Sequence, residues 1–118
     1  SHSTNVKVTN SYSLASVTAT GINGRVGGLV GLNEKAIENC YAAGQVTGNG
    51  TNAGGLVGEN KGTITTITSS YYDSTTTGQS DTGKGVGKTT AEMQQAATFT
   101  GWDEAIWKFE VGNYPTLR

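Results

Sequence analysis

The 118-residue chain is predicted to be all-β: a right-handed parallel β-helix, or β-solenoid, of about two to three coils, with a C-terminal cap that contains one short helix. Three observations predict this. The pentapeptide Gly27 to Gly31, GGLVG, returns unchanged at Gly54 to Gly58, 27 residues on, and Asn33 and Asn60 follow the two copies at the same distance. Tyr12, Tyr41 and Tyr71 recur at steps of 29 and 30 residues. The region is rich in Val, Ile, Thr and Tyr, punctuated by Gly and Asn, with no sustained helical spacing.

Aligning the tyrosines turns the repeat into columns. Val8, Ile37 and Ile67 form one; Asn10, Asn39 and Ser69 a second; Ser11, Cys40 and Ser70 a third; Val17, Val46 and Thr76 a fourth. Apolar over apolar and small over small suits layers about 4.8 Å apart, the spacing of paired strands. Length differences fall between columns: Val17 to Val26 is two residues longer than Val46 to Ala53, and Val30 to Ile37 is three shorter than Val57 to Ile67. Solvent-facing corners tolerate such variation. A unit of 28 to 30 residues holds about three short strands and their turns, whereas a propeller blade needs about 40 to 45 residues. Eighteen glycines with one proline and no Gly-x-y period exclude collagen.

The segments follow from this pattern. Residues 1–7 read as a tag remnant and disordered lead-in, because Ser1-His2-Ser3 has the look of a cloning scar. Residues 8–80 are the repeats, and residues 81–118 a loop, a short helix and an aromatic cap. Asp73 to Lys88 is polar and Gly/Thr-rich, which predicts a surface loop. Thr89 and Glu92 have capping-box spacing and open a helix to about Ala97. Five of the nine aromatics follow, Phe99, Trp102, Trp107, Phe109 and Tyr114, with a strand predicted at Trp107 to Val111. Such crowding predicts a cap over the last coil, since a solenoid otherwise ends in an open layer.

The GGLVG block followed by Asn, and the Ile37 to Ala42 stretch IENCYA, resemble the GLUG repeat of bacterial and archaeal surface proteins. The resemblance covers two copies from about Val8 to Thr63 and a degenerate third through Tyr71 to Gln79; the tail GNYPTL resembles the ending of GLUG-containing exoproteins. It implies a β-helical spacer or adhesive segment at the C-terminal end of an array in a longer exoprotein. The family's hosts are filamentous haemagglutinin-like adhesins and the non-catalytic regions of immunoglobulin A1 proteases. Cys40 departs from the usual serine and reads as a tolerated small residue.

Candidate chemistry is sparse. Gly83 to Thr90, GKGVGKTT, is one residue short of G-x-x-x-x-G-K-[ST], because Thr82 stands where the first glycine belongs, and DSTTTGQSDT before it is no buried strand. It reads as a loop leading to a capped helix. His2 is the sole histidine and lies in the presumed remnant. Asp73 and Asp81 flank the Ser/Thr-rich loop but lack the spacing of known calcium loops. Asp103 and Glu104 read as the polar face of the cap rather than a glycosidase pair. Adjacent Tyr71 and Tyr72 must face opposite ways on a strand, which predicts one exposed ring that could stack on a sugar. Asn49, Gly50 and Thr51 form a glycosylation sequon of little weight in a bacterial chain.

A net charge of −1 with scattered Lys and Arg gives no nucleic-acid footprint, and no apolar run approaches the length of a membrane span. The expectation is a non-enzymatic structural or adhesive segment, extracellular or cell-surface, with no catalytic, cofactor or metal residues. Its expected partners are a host or neighbouring cell-surface glycan or protein and the rest of a longer exoprotein, with neither nucleic acid nor membrane insertion. The alternatives are a carbohydrate-binding module and, third, a fragment of a β-helical polysaccharide lyase or hydrolase, which would need an Asp, Arg or Lys cluster on a coil face.

Overall fold

The computed structural model describes residues 2–3, 8–18, 26–33, 36–48, 53–60, 66–81 and 84–118. The chain is mostly short strands with few helical turns, and its repeats pair in parallel. Five parallel ladders join residues one repeat apart. Val8–Thr9, Ala36–Glu38 and Thr66–Thr68 pair so that Val8, Ile37 and Ile67 are in register. Tyr12–Ser13, Tyr41–Ala42 and Tyr71–Asp73 place the three tyrosines opposite one another. Val17–Thr18 pairs with Val46–Thr47, and Val26–Gly27 with Ala53–Gly54. Val30–Asn33 pairs with Val57–Asn60, which sets Asn33 opposite Asn60. His2–Ser3, in the expected remnant, extends this last ladder by pairing with Leu32–Asn33.

Each column has a local cause. Asn10, Asn39 and Ser69 have φ of 48°, 54° and 47°, so the chain turns through the left-handed region at the same corner of every layer. Asn is the non-glycine residue that adopts this backbone most readily. In the next column Ser11 Oγ donates to Thr9 O at 2.8 Å, Cys40 Sγ to Glu38 O at 3.1 Å and Ser70 Oγ to Thr68 O at 2.8 Å. The thiol therefore makes the contact of the serine it replaces. In the GGLVG block the layers approach too closely for side chains: a Cβ on Gly55 would enter the Tyr72 ring, and one on Gly28 would meet the Gly55 carbonyl and the Ala42 methyl.

Strand alternation sorts the side chains between two sides of the tyrosine ladder. Inward, Val30, Ile37, Cys40, Ala42, Leu56, Val57 and Tyr72 form the main core. Val26, Val46 and Ala53, with Val17 against them, make a second, smaller one. On the other side Tyr12, Tyr41 and Tyr71 meet the C-terminal aromatics.

Several predicted elements differ. The stretch 73–88 is not a loop throughout: Asp73 ends a strand, Ser74–Thr77 is a helical turn closed by Gly78 at φ 74°, and Val86–Lys88 adds a fourth parallel strand beside Tyr71–Asp73. Thr76 accordingly leaves its column and does not lie under Val46. The capping box at Thr89 and Glu92 is present, yet the helix is one turn, Thr90–Met93, followed by a 3₁₀ turn at Ala96–Thr98. Breaking there lets Phe99 and Trp102 reach the tyrosines. The strand expected from Trp107 to Val111 is Trp107–Lys108, antiparallel to Thr116–Leu117, because the chain reverses at Gly112, φ 84°.

The aromatic cap lies along the side of the stack and not over its end. Its rings touch tyrosines of the first, second and third layers alike. At that end Asp81 and Lys84 meet the second glycine block, and Val86–Lys88 lies beside Tyr71–Asp73. Asp81 Oδ1 accepts from Gly55 N at 2.9 Å, and Lys84 Nζ donates to Ala53 O at 3.2 Å and Gly58 O at 2.7 Å. Side chains thus pair with backbone groups that a further layer would otherwise satisfy.

Candidate functional site

The densest polar cluster centres on Asp73, which is fully buried. Its position follows from sequence, since Asp is a strong N-cap and Gly78 supplies the left-handed stop. Oδ1 accepts from the amides of Thr75 and Thr76 at 2.8 and 3.0 Å. Oδ2 accepts from Thr90 Oγ1 at 2.7 Å and Tyr114 Oη at 2.5 Å. Burial alone would raise the pKa of this carboxyl, but the hydroxyls of Tyr114 and Thr90 and the two amides outweigh it and hold it below its ordinary value. One carboxylate thereby fastens the third layer, the Thr90 turn and the C-terminal tail.

Beside it runs the aromatic belt. Tyr41 stacks on Tyr12 with centroids 5.1 Å apart and meets Phe99, Trp102, Trp107 and Tyr114 within 6.3 Å. Its hydroxyl donates to the Pro115 carbonyl, and burial pushes its pKa upward. Trp102 Nε1 donates to Ser69 O at 2.9 Å, whereas buried Trp107 Nε1 has no hydrogen-bond partner among the described residues. On the inner side Tyr72 Oη donates to Asp81 O at 2.6 Å, and burial, with Asp81 nearby, pushes that phenol to about 12.

The chemical candidates read from sequence are dispersed among these contacts. Lys84 points at backbone carbonyls, Val86 to Lys88 form a strand, Thr89 caps the following turn and Thr90 bonds Asp73. The Thr89 hydroxyl, which a phosphate loop would aim at magnesium, accepts from Glu92 N and caps the turn instead; Thr82 and Gly83 lie outside the described residues. Asp73 and Asp81 bind separate backbone partners and do not converge, and among the described residues no cluster of three or more metal-ligating side chains occurs. Asp103 Oδ1 accepts from Ala105 N at 2.8 Å to start a turn, while Glu104 contributes its carbonyl to Arg118 Nε at 2.7 Å. They form no facing pair. Neither tyrosine of the adjacent pair presents an open ring: Tyr72 is buried in the core, and Tyr71 stands edge-on to Phe99 at 5.4 Å. The expected exposed ring is absent because the cap covers that face. His2 is placed by its backbone pairing alone, and the Asn49 to Thr51 sequon lies outside the described residues.

Sequence reasoning missed the Asp73–Tyr114 contact and the Lys84 clamp. Asp73 and Gly78 bracketing a helical turn signalled the local cap but not its distant partner Tyr114; the Lys84 clamp had no signal, since its lysine sits in a stretch resembling a different motif.

Residues 22–47 match the GLUG motif. This GLUG segment carries Gly28, the left-handed Asn39, Cys40 and Tyr41, so the match falls on the residues that set the layer geometry. A protein of Evansella cellulosilytica with the provisional name Gly-rich membrane protein is 46% identical over 115 residues. The similarity takes in 92% of this chain and 13% of that protein, so the chain spans a small part of the relative's length. No solved structure matches. No helix among the described residues is long and apolar enough to cross a membrane.

Proposed function

We propose that this chain is a non-enzymatic structural or adhesive segment of a longer surface-associated protein, wound as a right-handed parallel β-helix of about two to three coils whose rigidity is its contribution. The observation that carries the reading is the use of its reactive side chains. Asp73, Cys40, Tyr41, Tyr72 and Tyr114 all bond to the protein's own backbone or to one another. Each joins layers or ties the cap to them. A segment that must keep its shape while holding other parts away from a cell needs such internal bonding. The GLUG match and the membrane name of the long Evansella relative support a surface-associated setting, extracellular in this reading.

The test is display. The chain is inserted between a membrane anchor and an epitope on a bacterial surface, and the purified chain is probed in parallel on a glycan array and on cell monolayers. The proposal expects a protease-resistant stalk with the epitope accessible, with or without cell adhesion. Rapid proteolysis of the inserted segment, or turnover of a polysaccharide by the purified chain, would overturn it.

A further inference from the structure

The outward tyrosines set oxidisable rings in succession, and the two steps of their ladder are unlike. Tyr12 and Tyr41 are held in register by the backbone, with Tyr41 N donating to Ser11 O at 3.1 Å and Ala43 N to Ser13 O at 3.0 Å on either side of them. Their rings stack with centroids 5.1 Å apart and planes 8° from parallel, close to the spacing of about 4.8 Å at which paired strands carry equivalent residues. Rings carried side by side by neighbouring parallel strands present like edges to one another, so the carbons ortho to the two phenol oxygens are neighbours. Tyr71 shares the backbone register with Tyr41, but its ring stands edge-on to Phe99 at 88° and tilts against Trp102 at 41°.

Access favours the same pair. Tyr12 is half-buried in the first layer, whereas Tyr41 is fully buried under the cap. Electrons can leave Tyr41 through the stacked Tyr12 ring, so the buried phenol need not meet an oxidant directly. Tyr114, the other phenol beside Tyr41, is farther away, with its centroid at 6.0 Å and its plane at 22°, and Asp73 holds its hydroxyl.

We propose that Tyr12 and Tyr41 are a site of oxidative cross-linking, at which hydrogen peroxide acting through a haem peroxidase joins an ortho carbon of one ring to an ortho carbon of the other. Each phenol loses one electron and one proton and becomes a phenoxyl radical. The two radicals form one carbon–carbon bond, each bonded carbon releases its hydrogen as a proton, and each oxygen takes one up, which restores two phenols. The pair gives up two hydrogens in all, and these reduce one hydrogen peroxide to two water molecules. The inference rests on the surface-associated, shape-keeping reading under Proposed function and deepens it. The bond ties the first layer to the second and restricts the unfolded chain as a disulfide would, in a chain whose single cysteine can form no internal disulfide.

The experiment treats the whole chain, at low protein concentration, with a haem peroxidase and one equivalent of hydrogen peroxide. The monomer should lose two hydrogens in mass and gain the blue fluorescence of coupled phenols. Trypsin separates the candidates, because Tyr12 lies in peptide 8–25, Tyr41 in 36–61, Tyr71 and Tyr72 in 62–84 and Tyr114 in 109–118. Peptides 8–25 and 36–61 should be recovered joined. Tyr12→Phe should abolish the fluorescence, Tyr71→Phe should leave it, and the cross-linked chain should melt at a higher temperature than the untreated one. Joining of 36–61 to 62–84 or to 109–118, dimers in place of the intramolecular product, or oxygen added to Trp102 or Trp107 with the tyrosines unchanged would each overturn the proposal. So would a Tyr12→Phe variant as fluorescent as the parent, or a cross-linked chain that melts no higher. Ring NOEs between Tyr12 and Tyr41 are recorded on the same sample before oxidation. Their absence would indict the stacked-layer reading itself, whereas their presence without coupling would indict only the site.

Discussion

Tyr114 donates its hydroxyl to Asp73 across 41 residues of sequence, at 2.5 Å, and so locks the C-terminal tail to the third layer of the repeat. A hydrogen bond to a buried carboxylate is worth about 1.5–3 kcal/mol, and Tyr114→Phe should cost about that much in urea unfolding. The acid limb should change as well. Asp73 titrates below its ordinary value in the folded chain, so its stabilisation is present above that value and is lost as pH falls through the folded one. Tyr114→Phe removes part of the cause, and the loss of stability between neutral pH and about pH 3 should be smaller than in the parent. A mutant with unchanged midpoint and unchanged acid limb would show that this contact does not fasten the tail.

The two tryptophans allow a matched comparison. Both are buried in the belt, and truncating either to Ala should cost about 3–5 kcal/mol, a large share of the 5–15 kcal/mol typical of a domain. Replacement by Phe should separate them. Trp102→Phe takes the donor from Ser69 O, while Trp107→Phe removes a buried N–H that has no hydrogen-bond partner among the described residues. Trp107→Phe should therefore be milder by about 1 kcal/mol. Equal thermal melts for the two Phe variants would contradict this, and two Ala variants that melt like the parent would sink the capping role.

Alkali should loosen the protein through its buried acids. Burial raises Cys40 from 9.0 to about 11, against bonds from its surroundings that lower it, and raises Tyr72 from 10.0 to about 12. Both favour the fold while protonated. Their contribution is complete below the unfolded values and disappears as pH climbs from 9 towards 12. Cys40→Ser should keep the contact to the Glu38 carbonyl, leave stability within about 1 kcal/mol and flatten the first part of the alkaline loss. In the parent at pH 8, iodoacetamide should label Cys40 no faster than global unfolding permits, and rapid labelling would disprove the burial.

The left-handed corner gives a backbone test. Asn39 has φ 54°, where a β-carbon without a hydrogen-bonding side chain costs about 1–2 kcal/mol. Asn39→Ala should lower the melting temperature, and Asn39→Gly should be the better tolerated of the two. The reverse order would mean that the corner is not left-handed.

Much of the architecture was legible in the letters. The tyrosine, Val/Ile and GGLVG columns named their partners correctly because equivalent layers repeat the same packing. The Asn10, Asn39 and Ser69 column was visible too, although its φ was not, since composition alone does not distinguish a corner from a packed polar position. What failed were the features that break the repeat. Val86 to Lys88 became a strand through pairing with Tyr71–Asp73, a tertiary gain that a Gly-rich stretch does not advertise. The cap went to the side of the stack, where its rings pack on Tyr12, Tyr41 and Tyr71, while Lys84 and Asp81 bond backbone groups at the end. Polar residues far apart in sequence, such as Asp73 and Tyr114, carried no pattern connecting them.

In-register parallel stacking is most directly measured by methyl NOEs from Ile37, whose residue lies between Val8 in one layer and Ile67 in the next. The stacking predicts strong cross-peaks from Ile37 to both methyl sets, with Tyr41 likewise linked to Tyr12 and Tyr71. An Ile37 that sees neither, together with cross-strand contacts pairing Leu29 and Leu56 as an antiparallel hairpin, would contradict it.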